Sequence, residues 1–338
     1  MNPNEAKLKR NSKMMGSGFV TKWGTILAII IVFLLFTFAN WDADNSRSLF
    51  LTSENMITVL RSISIITVIA IGLTFSLSVN GMDLSIGATA NFADAFIMTM
   101  FVWYEMSLGV SIILTILICM SVAAINCLLI VKLKVPDMIA SLSLMFMFQG
   151  VALTYTGGSA ITQSMVRPDG VQSTGVIPEA FSQMGMEPVL LIIMAAVVAF
   201  AFFFLTYTKH GRYMYAVGGN PEAARLSGIS VSKYRCIAYF MSAGFAALGG
   251  ILLAARVGTA QVNQGGSYLM PAVAAAFIGF SIGGAGKANA IGTLAGAFLV
   301  GMLENGLIMM SVPYYSMDII KGAVLAVALA MTYASRRD

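Results

Sequence analysis

The sequence predicts an all-α fold, a polytopic transmembrane helical bundle of about ten spans. Hydrophobic residues make up 58% of the 338 residues and charged residues only 10%, against about 25% charged in an average soluble domain. The mean hydropathy is +0.84. Apolar runs recur along the chain with the length of about 20 residues that crosses a hydrocarbon layer. These observations exclude a water-soluble fold and favour one membrane domain.

The first predicted span, 24 to 40, follows a polar segment that is rich in lysine. A signal peptide would begin similarly, but the leading segment is long and no clear small-residue cleavage site follows, so we expect an uncleaved helix. Nine further spans are predicted at 57 to 79, 84 to 103, 107 to 131, 137 to 156, 189 to 207, 236 to 256, 268 to 284, 290 to 310 and 315 to 333.

Basic residues between the spans predict the orientation of the chain. With the N-terminus inside, the loops that carry Lys132, Lys134 and Lys287, the loop 208–235 and the C-terminal tail all become cytoplasmic. The opposite loop, 157–187, contains a single basic residue, Arg167. Such an asymmetry is typical of cytoplasmic loops, so both termini are expected inside. The predicted division is a tail 1–23, a transmembrane domain 24–334 and a tail 335–338.

Several functions are excluded by what the sequence lacks. The net charge is +5, but no continuous basic surface is present, which argues against nucleic acid as a partner. The cysteines have no metal-ligand spacing and are expected to pack, and a lone His210 cannot build a metal site. No phosphate-binding loop of the GxxxxGK[ST] type and no catalytic constellation is found. We therefore expect no catalytic residue, metal or cofactor.

Glycines interrupt or bracket several predicted spans, and ordinary turns between consecutive spans are the plainer alternative for them. One break carries Gly81, Asp83 and Gly87, and another carries Gly265 and Gly266. Backbone groups freed at membrane depth must be satisfied by protein or by a water-filled cavity, so such breaks indicate a transport path or gate. A third glycine run, 283–286, fits an ordinary turn equally well. Segment 81–90 aligns faintly with 266–275, which suggests an inverted repeat.

The loop 208–235 is predicted to contain a short capped helix. Asn220 suits the N-cap, Pro221 the first helical position, Glu222 the positive helix end and Gly228 the C-terminal stop. Ala223 and Ala224 continue the helix.

This short helix has an apolar side formed by Ala223, Leu226 and Ile229, which lie at three-residue spacing. The simplest alternative is a solvated surface helix. An apolar side facing water is unfavourable, however, so a docking element on the membrane domain or on a partner is preferred.

Polar side chains inside apolar spans are candidates for lining a substrate path, because each is costly in lipid unless it meets a partner or water. Their alternative role is to join helices through hydrogen bonds. Asp83 either caps the break at Gly81 or contacts ligand. The candidates are Asn91, Asp94, Asn126, Gln149 and Asn305.

Three transporter mechanisms remain open from the residues alone. Without an ATP site of its own, the chain needs a separate ATPase subunit or an ion gradient. An ion-coupled secondary transporter would use intramembrane carboxylates such as Asp83, Asp94 and Glu304. A channel is the third alternative. A docking helix at 220–228 favours the ATPase partner.

Three motifs in order resemble the ATP-binding cassette (ABC) importer permeases of the ribose and simple-sugar class. In chain order, they are the run Gly81-Met82-Asp83-Leu84-Ser85-Ile86-Gly87, the loop segment 211–228, and the stretch 283–296 followed by Glu304-Asn305-Gly306-Leu307. The family pattern has Val at position 86 and Asn at position 304. The resemblance covers almost the whole chain after about residue 50.

The resemblance implies a type II-like importer permease with inverted repeats in a bacterial inner membrane. Its implied partners are a cytoplasmic ATP-binding cassette subunit, an extracytoplasmic sugar-binding protein and a second permease chain, with a homodimer favoured. The short cytoplasmic helix would be the coupling helix, which contacts the ATPase. That role falls on Asn220, Glu222, Ala223, Ala224, Leu226 and Gly228.

Overall fold

A computed structural model describes residues 26–42, 47–167, 169–280, 287–313, 315–317, 319–323 and 326. The predicted tails 1–23 and 335–338, the glycine run 283–286 and most of the predicted span 315 to 333 lie outside these residues. The described chain forms two compact units, one with the residues up to Leu60 and from Ala274 onward, the other Arg61–Val273.

The described helices follow the predicted order. A β-hairpin follows the first helix. Its strands have two residues each, β1 (Trp41–Asp42) and β2 (Arg47–Ser48), and pair antiparallel. The helices are α1 (Ile26–Ala39), α2 (Ser53–Ser78), α3 (Ile86–Val102), α4 (Leu108–Asn126, prolonged by a π-helical turn, Cys127–Lys132), α5 (Asp137–Thr156), α6 (Glu179–Met184), α7 (Val189–Tyr207), α8 (Lys209–Gly219), α9 (Pro221–Leu226), α10 (Val231–Val257), α11 (Leu269–Gly279, preceded by a 3₁₀ turn, Gly265–Tyr268) and α12 (Ala290–Met309).

Six of the described helices are long and apolar enough to cross a membrane, and three shorter apolar helices accompany them. The long helices are α2, α4 with its π-helical turn, α5, α7, α10 and α12. The predicted all-α membrane bundle is therefore confirmed.

The largest differences from the prediction are two helix boundaries and one additional helix. Helix α10 begins at Val231 rather than at 236, because Ser230 caps it and the charged Lys233 and Arg235 belong to its first turns. The helix in the span 268 to 284 ends at Gly279. The loop 208–235 contains two helices, since α8 precedes the predicted short helix α9.

Helix α3 forms the core of the unit Arg61–Val273. All of its residues except Phe96 are buried, and it packs against α4, α5 and α10. Small residues permit this close packing: a Cβ atom on Gly250 of α10 would overlap the carbonyl oxygen of Ala90. Close backbone approach through glycine and alanine is typical of helix pairs in membranes.

The other unit has an aromatic core between α1 and the turn that precedes α2. The ring of Phe50 lies 5.8 Å from that of Phe36 and 5.9 Å from that of Phe33, measured between centroids. Gly306 of α12 faces the Phe36 ring so closely that a Cβ atom there would overlap it. Edge and tilted aromatic packing of this kind stabilises the unit beyond the area that it buries.

Candidate functional site

Helix α9 is a short helix with its own N-terminal cap. The Oδ1 atom of Asn220 accepts hydrogen bonds from the backbone N–H groups of Glu222 and Ala223, both at 3.0 Å. Pro221 occupies the first turn, as predicted. The cap satisfies backbone donors that a six-residue helix could not pair internally. An exposed ion pair between Glu222 and Arg225, at 2.5 Å, adds little, since both side chains are solvated.

The two sides of α9 are unequal. Ala224 is 4% exposed and attaches the helix to its own chain, whereas Leu226 is 79% exposed and Ala223 is exposed as well. Gly228 ends the helix with a φ of +78°, which glycine adopts without strain. An exposed leucine on a rigid, capped helix forms a small apolar surface that is free to contact a partner.

The helix that follows α9 contributes to a partly buried ionic cluster, which we call the Asp137 cluster. Nη2 of Arg235, in the second turn of α10, lies 2.6 Å from Oδ1 and 2.5 Å from Oδ2 of Asp137, at the start of α5. The Tyr239 hydroxyl donates to the same Oδ2 at 2.7 Å. Tyr239 is fully buried, and the side chains of Arg235 and Asp137 are 28% and 15% exposed. The cluster joins α5 to α10.

The predicted break at Gly81 lies against the Asp137 cluster. A Cβ atom on Gly81 would be 2.8 Å from both Asp137 Oδ2 and the Tyr239 hydroxyl. Ser141 Oγ, one turn further along α5, donates to the carbonyl of Met82 at 3.1 Å. The nonhelical backbone between α2 and α3 is thus held by contacts with α5 and α10.

Sequence reasoning did not identify Asp137, Arg235 and Tyr239. Arg235 was counted only as a cytoplasmic loop charge, and Asp137 as the start of a span. One signal was available: an acidic and a basic residue at the same predicted membrane side, each at the first turns of a span, can compensate each other's charge. Their separation of 98 residues conceals that pairing in the sequence.

Asp83 stabilises the turn that enters α3. Its Oδ1 atom accepts from the backbone N–H of Ser85 at 3.0 Å and from the Ser85 hydroxyl at 2.5 Å. Asn126 Nδ2 donates to that hydroxyl at 3.1 Å. These three side chains are buried. In this conformation, the capping interpretation of Asp83 is the one that matches its contacts.

The second predicted break packs against the first turns of α3. The backbone N–H of Gly265 donates to Asn91 Oδ1 at 3.2 Å. A Cβ atom on Gly87 would lie 2.8 Å from Leu269 Cβ and 3.5 Å from the carbonyl oxygen of Gly266. The start of the short helix α3 and the 3₁₀ turn before α11 therefore meet at glycines, and Asn91 ties them together.

Four of the predicted path residues lie in the unit Arg61–Val273, and Asn305 lies in the other unit. Asn91 and Asn126 lie at the two breaks, while Asn305 bonds to Asn55 at 2.9 Å in the other unit. Gln149 is half-buried on α5. Asp94 is fully buried in α3, and neither of its carboxylate oxygens has a hydrogen-bond partner. Each of the three asparagines bonds to another segment of the chain, and their place in the substrate path stays a prediction.

Two further ion pairs neutralise carboxylates near the ends of helices. Glu304 of α12 binds Nζ of Lys321 at 2.9 Å. Arg61 of α2 makes two hydrogen bonds to Glu187, which precedes α7, and its Nε–Oε2 distance is 2.5 Å. The Arg61 guanidinium holds the pKa of the Glu187 carboxyl below its ordinary value of 4.5. Within the described ranges, no group of three or more His, Cys, Asp or Glu side chains is arranged to hold a metal ion.

The chain is similar to known permease proteins over most of its length. Residues 55–329 match the model of a family described as branched-chain amino acid transport system / permease component. The chain is 32% identical over 311 residues to the ribose import permease protein RbsC of Haemophilus influenzae, which covers 92% of this chain and 93% of that protein. It is 32% identical over 318 residues to RbsC of Bacillus subtilis, with 93% of both chains covered. The xylose transport system permease protein XylH of Escherichia coli is 26% identical over 393 residues, covering 99% of this chain and 98% of XylH.

Proposed function

Because the chain belongs to the family of branched-chain amino acid transport system permease components, we propose that it is the membrane-spanning subunit of an ABC importer for a simple sugar. A separate ATPase subunit drives it, and an extracytoplasmic binding protein delivers a ribose-like pentose or related monosaccharide. The exposed, capped helix α9, directly coupled to α10, is the observation that carries this proposal.

The choice of a sugar over an amino acid has two supports. The similar permeases RbsC and XylH carry ribose and xylose in their names, and they align over most of this chain. In addition, the segment 258–268, which surrounds the second break, carries amide and hydroxyl side chains and glycines but no charged side chain. A zwitterionic amino acid requires charged or strongly polarised partners in a low-dielectric path, whereas a neutral sugar requires hydrogen-bonding groups.

The coupling to ATP hydrolysis is proposed to pass through α9. A groove on the ATPase subunit would bury Leu226, and Asn220, Glu222, Ala223 and Gly228 would shape and orient the helix that carries it. Ala224 would transmit force because it packs on the chain itself. Closure of the ATPase subunits then moves α9 together with the start of α10, where Arg235 is attached to Asp137.

Movement of α10 would reach the substrate path at the first break. The Asp137 cluster contacts Gly81, and the turn through Asp83 leads into the buried helix α3. We propose alternating access: the breaks at Gly81–Gly87 and Gly265–Gly266 rearrange as gates, and the path opens inward after sugar has entered from outside. The proposed path residues remain Asn91, Asp94, Asn126, Gln149 and Asn305.

The proposed setting is a bacterial inner membrane with both termini in the cytoplasm. Loop 208–235 then faces the ATPase subunit, and loop 157–187 faces the binding protein. Two copies of the chain are proposed to pair around the path. The alternative to an ATP-driven importer is an ion-coupled secondary transporter.

The proposal is tested by uptake of radiolabelled D-ribose and D-xylose into proteoliposomes that contain the chain, its ATPase subunit and its binding protein. We expect uptake that requires internal ATP and is unaffected by collapsing proton or sodium gradients. Leu226→Glu should abolish uptake without lowering the thermal stability of the chain. Uptake that follows an ion gradient and survives Leu226→Glu would establish the secondary-transporter mechanism instead.

A further inference from the structure

A polar nonhelical segment, Gln261–Tyr268, contains the second break and reaches half the depth of the membrane-spanning helices at Gly265. Its depth follows from three contacts of α3. Cys119, the twelfth of the 25 residues of Leu108–Lys132, lies with its Sγ 3.9 Å from the carbonyl oxygen of Thr89. Phe148, the twelfth of the 20 residues of α5, has its ring 5.7 Å from that of Phe92. Asn91, between these two levels, holds the N–H of Gly265.

The first end of this segment is tied to loop 157–187, beyond the end of α5, and Gly265 is tied to α3. Ala260 and Ile161 exchange two backbone hydrogen bonds of 2.8 and 3.1 Å. The Gln264 side chain accepts from the N–H of Gln261 at 3.0 Å and closes the turn. With Asn91 holding Gly265, the segment is a rigid loop rather than a loose connection.

The side chains that this rigid loop presents are polar and exposed. Gln261, Asn263 and Ser267 are all exposed. Asn263 has a φ of +57°, a conformation that asparagine tolerates better than most residues. Its amide oxygen lies over Gly266, where a Cβ atom would collide with it. The glycine therefore leaves room for the amide.

Lipid cannot accommodate such a loop, because exposed irregular backbone does not occur in the hydrocarbon region except where it lines protein or a water-filled cavity. We propose that Gln261, Asn263 and Ser267 form a low-affinity contact site for a neutral polyhydroxylated sugar, along the part of the path that leads from loop 157–187 to half the depth of the helices. Two amides and one hydroxyl offer donors and acceptors to sugar hydroxyls, and Tyr268 adds an aromatic surface for C–H groups. This inference rests on the proposed function and assigns the residues that contact its substrate.

Cysteine accessibility tests the aqueous location without requiring transport. Gln261→Cys and Ser267→Cys, reconstituted with the ATPase subunit, are treated with a charged, water-soluble thiol reagent. Ala247→Cys, at a fully buried position of α10, is the control for background labelling of the native cysteines. We expect the two loop positions to react and the control to remain unlabelled. Reaction only with a membrane-soluble maleimide, or with neither reagent, would overturn the inference.

Sugar contact is tested by protection and by kinetics. Millimolar D-ribose or D-xylose should slow the labelling of Ser267→Cys, whereas leucine should not. Asn263→Gly, which retains the backbone conformation, and Gln261→Ala should each raise the half-saturating concentration of binding protein loaded with sugar, or lower the uptake rate, by about three- to tenfold. Ser143→Ala, at an exposed position of α5 where the hydroxyl bonds the carbonyl of Ile139 in its own helix, is the control and should change neither.

The outcomes separate this inference from the proposed function. ATP-dependent uptake in the unaltered chain, combined with normal uptake in Gln261→Ala and Asn263→Gly, would leave the importer assignment standing and refute the contact site. Loss of ATP dependence in the unaltered chain, with labelling of Ser267→Cys that ribose still slows, would refute the ABC mechanism and support the contact site. Protection by leucine rather than by sugar would refute the sugar specificity of both.

Discussion

Substitution of Gly81 by alanine should damage both stability and coupling. The new Cβ atom would lie 2.8 Å from Asp137 Oδ2 and from the Tyr239 hydroxyl, whereas ordinary contact begins at 3.4 Å. Both oxygens must retreat by about 0.6 Å. The glycine does not have a positive φ, so the effect is steric and not conformational.

The magnitude follows from the contacts that the retreat disrupts. A hydrogen bond to a charged group contributes about 1.5–3 kcal/mol. The Arg235–Asp137 pair, with side chains 28% and 15% exposed, lies between a surface pair, worth about 0–1 kcal/mol, and a buried one, whose disruption costs about 3–5 kcal/mol. Partial loss of both interactions should lower the free energy of unfolding by about 2–4 kcal/mol.

The assay compares detergent-solubilised variants by reversible unfolding, and then measures sugar-stimulated ATPase activity of the reconstituted transporter. Gly150→Ala, in α5 where a Cβ atom meets nothing within 4 Å, is the matched control and should be stabilising by about 0.5–1 kcal/mol. Gly81→Ala combined with Tyr239→Phe should be less destabilising than the sum of the two, because both remove the same hydrogen bond.

The reasoning is refuted if Gly81→Ala is as stable as Gly150→Ala and retains full stimulation. Additive effects of Gly81→Ala and Tyr239→Phe would also contradict it, since they would show that the two residues act independently.

Three further predictions follow from single contacts. Asn220→Ala removes the cap of α9, which should destabilise that helix by about 1 kcal/mol and weaken ATPase binding in a pull-down; unchanged binding would contradict the role of the cap. Tyr239→Phe should retain the fold but lower the ratio of transported sugar to hydrolysed ATP, because Asp137 then loses the hydrogen bond from α10; an unchanged ratio would count against the Asp137 cluster as a link. Arg61 lowers the pKa of Glu187, so the pair's stabilisation is complete above the ordinary value of 4.5 and is lost as the pH falls through the lowered pKa. The free energies of unfolding of the wild type and of Glu187→Gln should therefore converge at low pH. A constant difference between them would contradict the assignment.

The fold was accessible from the sequence because the bilayer imposes one rule on every span. Runs of about 20 apolar residues must be helical to satisfy their backbone, and α5 accordingly has the predicted bounds, Asp137–Thr156. The predicted start of α10 was wrong because the helix begins with charged residues. Arg235 of α10 is compensated by Asp137 of α5, so hydropathy alone places the start of α10 too late.

The candidate site was less accessible, because its contacts join distant parts of the chain. The cap of α9 is local and was predicted from Asn220 and Pro221, as the hydrogen bonds of Asn220 confirm. The contact of Gly81 with Tyr239 is long-range, and no residue spacing reveals it. Likewise, the depth of Gln261–Tyr268 depends on how α3 packs, which the order of residues does not specify.

The central claim, that this chain transfers ATPase movement to a sugar path through α9, is tested most directly by ATPase stimulation in lipid discs. The chain is reconstituted with its ATPase subunit and its binding protein, and D-ribose, D-xylose, D-galactose and leucine are compared. We predict stimulation by one sugar-loaded binding protein, which is lost in Leu226→Glu while the chain remains folded. Stimulation that is unchanged in Leu226→Glu, or that requires leucine instead of a sugar, would contradict the account.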